Sequence, residues 1–230
     1  MSQQTGFTEE KARSYDERVR RHIPGYEILH ALSETILAAE LPENASVLVA
    51  GVGTGTEILE LAPKHPGWRF VGVDPSAGMI AMARQKVAEA SLADRVELRV
   101  GTVETLPEDA YDAATLLLVL HFLADKGEKE ALLSAIADRL KPGAPFFVAS
   151  LFGDPESTRY QKLNSFRKSW AIARGMSADE AQELFDLARK DLHVVPEERI
   201  KTLLRNAGYI DVQRVYQMLA VGMWFARAAR

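Results

Sequence analysis

Residues 46–56 read SVLVAGVGTGT, and no other stretch restricts the fold as much. A β-branched, apolar run over 47–50 leads into Gly51, Gly53 and Gly55, and Ile58, Leu59, Leu61 and Ala62 follow at helical spacing. The pattern predicts a buried strand, a tight glycine turn and the start of a helix. Glycine admits positive φ and lets a ligand come close to the main chain. A helix start presents unpaired N–H groups and partial positive charge. Such a unit serves as a cradle for nucleotide-containing ligands. The dinucleotide fingerprint G-x-G-x-x-G is not met, because Thr56 stands where the third glycine would. About twenty residues on, FVGVD at 70–74 predicts a second strand ending in an acid, and a carboxylate there suits the two hydroxyls of a ribose.

The chain of 230 residues, 47% of them hydrophobic, has the size and apolar content of one domain with a full core. A net charge of -4 argues against a general nucleic-acid binder. The absence of cysteine excludes disulfides, a thiolate nucleophile and cysteine-ligated metal, and no metal site is expected. The polar start MSQQTGFTEE lacks the apolar core of a signal peptide, and no apolar run reaches the roughly 20 residues of a membrane span. The expectation is a soluble cytoplasmic protein.

Residues 1–7 are expected to be loose. Residues 8–22 are highly charged, with Phe7, Ala12, Tyr15 and Val19 as the few apolar positions, and read as a surface helix. After Pro24-Gly25 a second helix carries Ile28, Leu29, Leu32 and Ile36. Ser76 is a candidate N-cap for a helix with Met79, Ile80, Ala83 and Val87 inward. Further strands are expected over 95–100, over the apolar run 111–120 and over 145–151, with a helix over 128–140. The alternation argues for an α/β, doubly wound, mostly parallel sheet. Helices over 155–174 and from the capping box Ser177 to Glu180 interrupt that rhythm as a helical insertion. A helix over 196–206 and strands over 210–216 and 219–226 complete seven strands. The expected organisation is one domain: helical cover 1–43, core 44–151, helical lid 152–195, and last helix and strands 196–230.

The loop Gly51-Val52-Gly53-Thr54-Gly55, Asp74 with Pro75-Ser76 and Met79, Tyr111-Asp112, Leu140-Lys141-Pro142-Gly143 and Ala207-Gly208-Tyr209 together resemble the class I S-adenosylmethionine-dependent methyltransferases. The general pattern is similar to the quinone-biosynthesis C-methyltransferases. Asp16-Glu17-Arg18-Val19, Pro24-Gly25-Tyr26 and Gly175-x-Ser177-x-x-Glu180 resemble the tRNA wobble-uridine carboxymethyltransferases, which use a carboxylated cofactor. The resemblance implies a Rossmann-like methyltransferase fold, S-adenosylmethionine as cofactor with S-adenosylhomocysteine as product, and methyl transfer to a small-molecule acceptor. A quinone-like or other planar acceptor is conceivable, with tRNA as the second choice and a homodimer through the helical insertion. Two positions depart from the family. Val49 stands where an acid usually holds the methionine ammonium, and Thr102 stands where many members have an acid for the adenine amino group. A hydroxyl bond is about half as strong as a carboxylate bond. A catalytically silent binding protein of the same fold is therefore a rival reading. A nicotinamide dehydrogenase is another, against which Thr56 and the two last strands count.

The resemblance assigns Gly51, Gly53, Thr54, Gly55, Asp74, Pro75, Met79, Thr102, Val103, Leu117 and Leu118 to the cofactor, with Arg21 and Tyr26 reaching it from the N-terminal helices. His121, at the carboxyl end of the central strand, is the candidate base for a substrate proton. Tyr15, Phe122, Tyr160, Phe166 and Trp170 are the candidates for a substrate pocket. Arg159, Lys162, Arg167 and Lys168 read as a solvated basic face.

Overall fold

The computed structural model describes residues 9–108 and 110–229, with side chains from Tyr15 onward. The segment expected to be loose, 1–7, lies outside the described residues, as does Phe7. Two helices come first, α1 (Glu9–His22) and α2 (Tyr26–Glu40). Then follow β1 (Ser46–Ala50), α3 (Thr56–Leu61), β2 (Arg69–Asp74), α4 (Ala77–Glu89), β3 (Val96–Val100) and β4 (Ala113–Leu117). The second half holds α5 (Glu128–Ala137), β5 (Pro145–Leu151), α6 (Thr158–Ala173), α7 (Ala178–Asp191), α8 (Glu197–Asn206), β6 (Tyr209–Met218) and β7 (Val221–Ala228).

The seven strands form one sheet in the order β3-β2-β1-β4-β5-β7-β6. β1 lies parallel to β2 and β4, whereas β7 runs antiparallel to both β5 and β6. The apolar strands read as continuous runs because both faces are covered. Val47 and Val49 belong to the core under α1–α4, and Leu48 and Ala50 to the core under α5 and α8. Side chains on a strand alternate between its faces, so a single run of five supplies both layers. Each fully buried leucine or phenylalanine in these layers contributes roughly 1.5–3 kcal/mol.

Polar groups fix the connections. The Arg95 guanidinium donates to the carbonyls of Ala62, His65 and Trp68 at 2.8–3.0 Å and closes the loop between α3 and β2. Arg139, which is buried, donates to the Ala135 and Leu106 carbonyls. The expected central strand over 111–120 is shorter. β4 ends at Leu117, Leu118 takes a left-handed φ of 61°, and residues 120–122 form a single 3-10 turn. The expected helix over 128–140 ends at Ala137. β4 thus stops abruptly at the edge from which a ligand would be approached.

Candidate active site

The glycine turn hangs from the end of β2. The amides of Gly51 and Val52 both donate to the Val73 carbonyl, at 2.8 and 3.1 Å. Gly51 has φ 69°, and a Cβ on it would lie 2.3 Å from Cγ2 of Val119, so the backbone presses against the chain leaving β4. A Cβ on Gly53, φ 53°, would meet nothing within 4 Å: here the turn faces open space. Asp74 closes the cradle from β2. Its Oδ2 accepts from the Gly53 amide at 3.1 Å and its Oδ1 from the Ser76 amide at 2.8 Å. Burial raises its carboxyl above the usual value, and the two amides oppose that. Each oxygen keeps a lone pair for a ligand hydroxyl. Pro75 is exposed beside it, Met79 is buried in the first turn of α4, and the Met79 amide donates to the capping Ser76 hydroxyl.

Other expected cofactor residues divide. Thr54 is buried and donates its hydroxyl to Oδ1 of Asp16 at 2.5 Å, so it faces α1 and its hydroxyl is occupied there. Val103 packs its side chain into the core with Leu106 and Tyr111, which leaves its backbone to meet a ligand, while Thr102 is exposed at the end of β3. Leu117 is half-buried, and Leu118 lies at the sheet's carboxyl edge. Arg21 is turned outward and pairs with Glu17 at 3.7 Å. The i, i+4 step puts both on one exposed face of α1. Tyr26 is buried, with the Arg20 guanidinium 5.8 Å from its ring centre, and burial raises its phenol well above the ordinary value.

Helix α1 is tied across this turn. Asp16 holds Thr54 on one oxygen and the Lys86 ammonium of α4 on the other. Tyr15 is half-buried beside them, and its phenol is pushed up to about 12 by burial and by the charges of Asp74 and Asp16.

Beyond Leu118 an apolar cavity of about 240 Å³ opens between α1, α7 and the ends of β4 and β5. Tyr15, Phe122, Leu151 and Phe185 contribute to its walls. Of the expected substrate residues, Tyr15 and Phe122 line it, whereas Tyr160, Phe166 and Trp170 do not. Tyr160 packs over Gly153, Phe166 is exposed with the Lys162 ammonium 5.0 Å from its ring centre, and Trp170 lies under the Arg174 guanidinium at 4.4 Å. α6 presents Arg167 to the cavity instead, buried and not solvated as the basic run suggested.

His121 lines the cavity and is buried. Its Nδ1 accepts from the Leu151 amide at 3.3 Å, while the neighbouring Ser150 hydroxyl donates to the Leu151 carbonyl at 2.9 Å. An accepting Nδ1 places the proton on Nε2. Burial, with Arg167, Lys129 and His22 nearby, lowers its pKa to about 3. His121 is thus a neutral hydrogen-bond donor, and the role of base expected from its position does not suit this tautomer.

One carboxylate went unread in the sequence. Glu57 follows directly on the glycine turn and is buried, with its Oε1 unpartnered. It lies beside Thr115, which is in register with Val49, and burial raises its pKa to about 7. A glutamate in the first turn of a helix reads as a surface residue, so only its position after Thr56 gave a signal.

An adenosyl ligand fits this set. The open side of Gly53 admits it, Asp74 offers two acceptors to a ribose, and the cavity adjoins the edge at Leu118. Comparison with known proteins agrees. Residues 48–146 match the family described as Methyltransferase domain. The demethylmenaquinone methyltransferase of Lactiplantibacillus plantarum is 31% identical over 80% of this chain and 78% of its own. The carboxy-S-adenosyl-L-methionine synthase of Campylobacter hominis is 23% identical over 99% of this chain and 96% of its own. Among solved structures, human N-acetylserotonin methyltransferase in complex with S-adenosylmethionine superposes with a TM-score of 0.59 at 19% identity. That match covers 96% of this chain, which spans 58% of the human one. The chain belongs to the class I S-adenosylmethionine-dependent methyltransferases, and S-adenosylmethionine is its cofactor.

Proposed function

We propose that this chain transfers the methyl group of S-adenosylmethionine to a small, largely apolar acceptor held in the cavity beyond Leu118. The observation that carries the reading is the cavity itself, which adjoins the cofactor cradle and shares α1 with it as a wall. The cofactor's sulfonium supplies an already activated methyl group. The chain's task is then alignment and exclusion of water. Asp74 and the turn at Gly53 hold the ribose side. Leu118 separates cradle from cavity, and Tyr15 and Phe122 wall the acceptor. His121 donates from Nε2 to an acceptor oxygen. A left-handed leucine costs about 1–3 kcal/mol, a strain of the kind that concentrates where geometry serves function.

A second reading is formation of a carboxylated S-adenosylmethionine, favoured by the end-to-end match to the Campylobacter hominis synthase. Calorimetric titration of S-adenosylmethionine and S-adenosylhomocysteine, with NADH as control, tests the main one. Adenosyl ligands are expected to bind in the micromolar range and NADH not at all. Asp74→Ala is expected to weaken binding roughly 10- to 150-fold, the net worth of one charge-assisted bond of about 1.5–3 kcal/mol. Absence of adenosyl binding in a folded protein would leave the chain a catalytically silent member of the fold. Detection of a carboxylated adenosyl product by mass spectrometry would favour the second reading.

A further inference from the structure

Arg167 occupies an unusual position for a guanidinium. It is 3% exposed, it lines the cavity, and its Nε has no hydrogen-bond partner. Its Nη1 donates to Oδ1 of Asn164 at 2.8 Å, and its Cζ lies 5.2 Å from the Phe185 ring centre. Among the described residues no carboxylate comes within ion-pair distance of it, although twelve such pairs occur elsewhere. Asp191, the one acid among the described lining residues, is solvent-exposed and makes no pair with it. The two histidines of the lining are neutral, since burial lowers His22 to about 4 and His121 to about 3. Among the described residues no neighbouring charge balances the guanidinium.

An unpaired buried charge costs several kcal/mol, and arginine cannot escape by losing its proton. An anion arriving with the ligand removes that cost. We propose that the acceptor is a carboxylic acid with an apolar, planar or chain-like body, and that Arg167 binds its carboxylate while Phe122, Leu151 and Phe185 enclose the body. The proposal rests on the methyl-transfer reading for the word acceptor. The binding site stands on Arg167 alone. A guanidinium fork matches a carboxylate in two parallel bonds. The other cation of the lining, Arg18, is solvent-exposed, so the one buried cation balances a monoanion, whereas a phosphate monoester brings nearly two charges. Arg167 is thereby a specificity-determining residue.

Benzoate, its neutral isostere benzamide and phenyl phosphate are titrated into the full chain, with and without saturating S-adenosylhomocysteine, in the wild type and in Arg167→Met. Benzoate is expected to bind at least about tenfold more tightly than benzamide, the worth of one charge-assisted bond. In Arg167→Met that preference is expected to fall to within about twofold, with S-adenosylhomocysteine affinity unchanged. Equal binding of benzoate and benzamide by the wild type overturns the proposal, as does tighter binding of phenyl phosphate or a preference that survives in the variant. The wild-type comparison stands even where Arg167→Met fails to fold. Failure of S-adenosylhomocysteine to bind, with the benzoate preference intact, would refute the methyl-transfer reading and leave the carboxylate site.

Discussion

Glu57 carries a carboxyl into the core just after the glycine turn, and its titration has a definite sign. Unfolded, it loses its proton near 4.5. Folded, it holds the proton to about 7. Between those values the unfolded chain binds fewer protons, so stability falls as pH rises through this window and is level above it. The shift corresponds to roughly 3 kcal/mol. Glutamine keeps the shape without the charge, so Glu57→Gln is expected to raise the melting temperature at pH 8 and leave it nearly unchanged at pH 4. Melts at the two values check this; a loss at pH 8 with none at pH 4 would mean that the carboxylate is needed in its charged form. Residues of this kind mark the limit of sequence reading. Gly51, Gly53 and Asp74 were legible because a turn from strand to helix, and the acid that ends the next strand, fix where each must sit. Arg167 was not, because Tyr160, Phe166 and Trp170 are the candidates for the inward face of this helix and Arg167 reads as solvated. The structure buries Arg167 and Ala171, one residue further along, about 100° around the helix. Lys162 and Arg174 cover the two aromatic rings outside and allow that rotation.

Among the elements, α7 is built on its first turn. The Ser177 hydroxyl accepts from the Glu180 amide at 3.2 Å, and the Glu180 carboxylate accepts from the Ser177 amide at 2.8 Å. Ser177→Ala is expected to cost about 1 kcal/mol, and the loss should appear first as faster hydrogen exchange over 178–182, since α7 packs mainly on α6 through a small core of its own. Global melting should fall by no more than roughly 2–4 °C. The box was legible because both partners lie within four residues. The mostly parallel direction of the strands was legible for a related reason: a strand–helix–strand crossover brings the chain back parallel, and two last strands without a helix between them pair antiparallel; the order β3-β2-β1-β4-β5-β7-β6 was not. The end of β4 was not. Tyr111 to Leu120 is apolar throughout, and nothing in hydrophobicity shows that Leu118 turns left-handed. That turn is set by the register with β5, where the Leu118 amide donates to the Ala149 carbonyl at 2.8 Å.

At the scale of the whole molecule, the cradle and the cavity are two rooms with one partition. α1 is fastened to the first by Asp16, through Thr54 and Lys86, and lines the second with Tyr15 and Val19. Asp16→Ala is expected to loosen α1, seen as faster proteolysis of the ligand-free chain near its N-terminal helix, with the sheet unchanged by circular dichroism. A partition of this kind makes the two occupancies a single thermodynamic variable. Whatever factor a bound adenosyl ligand adds to acceptor affinity, the acceptor must return to the adenosyl ligand, because the coupling free energy belongs to the pair. Titrations in both orders should therefore give the same factor in the wild type. In Asp16→Ala both should fall together toward one, leaving each ligand to bind as though the other were absent.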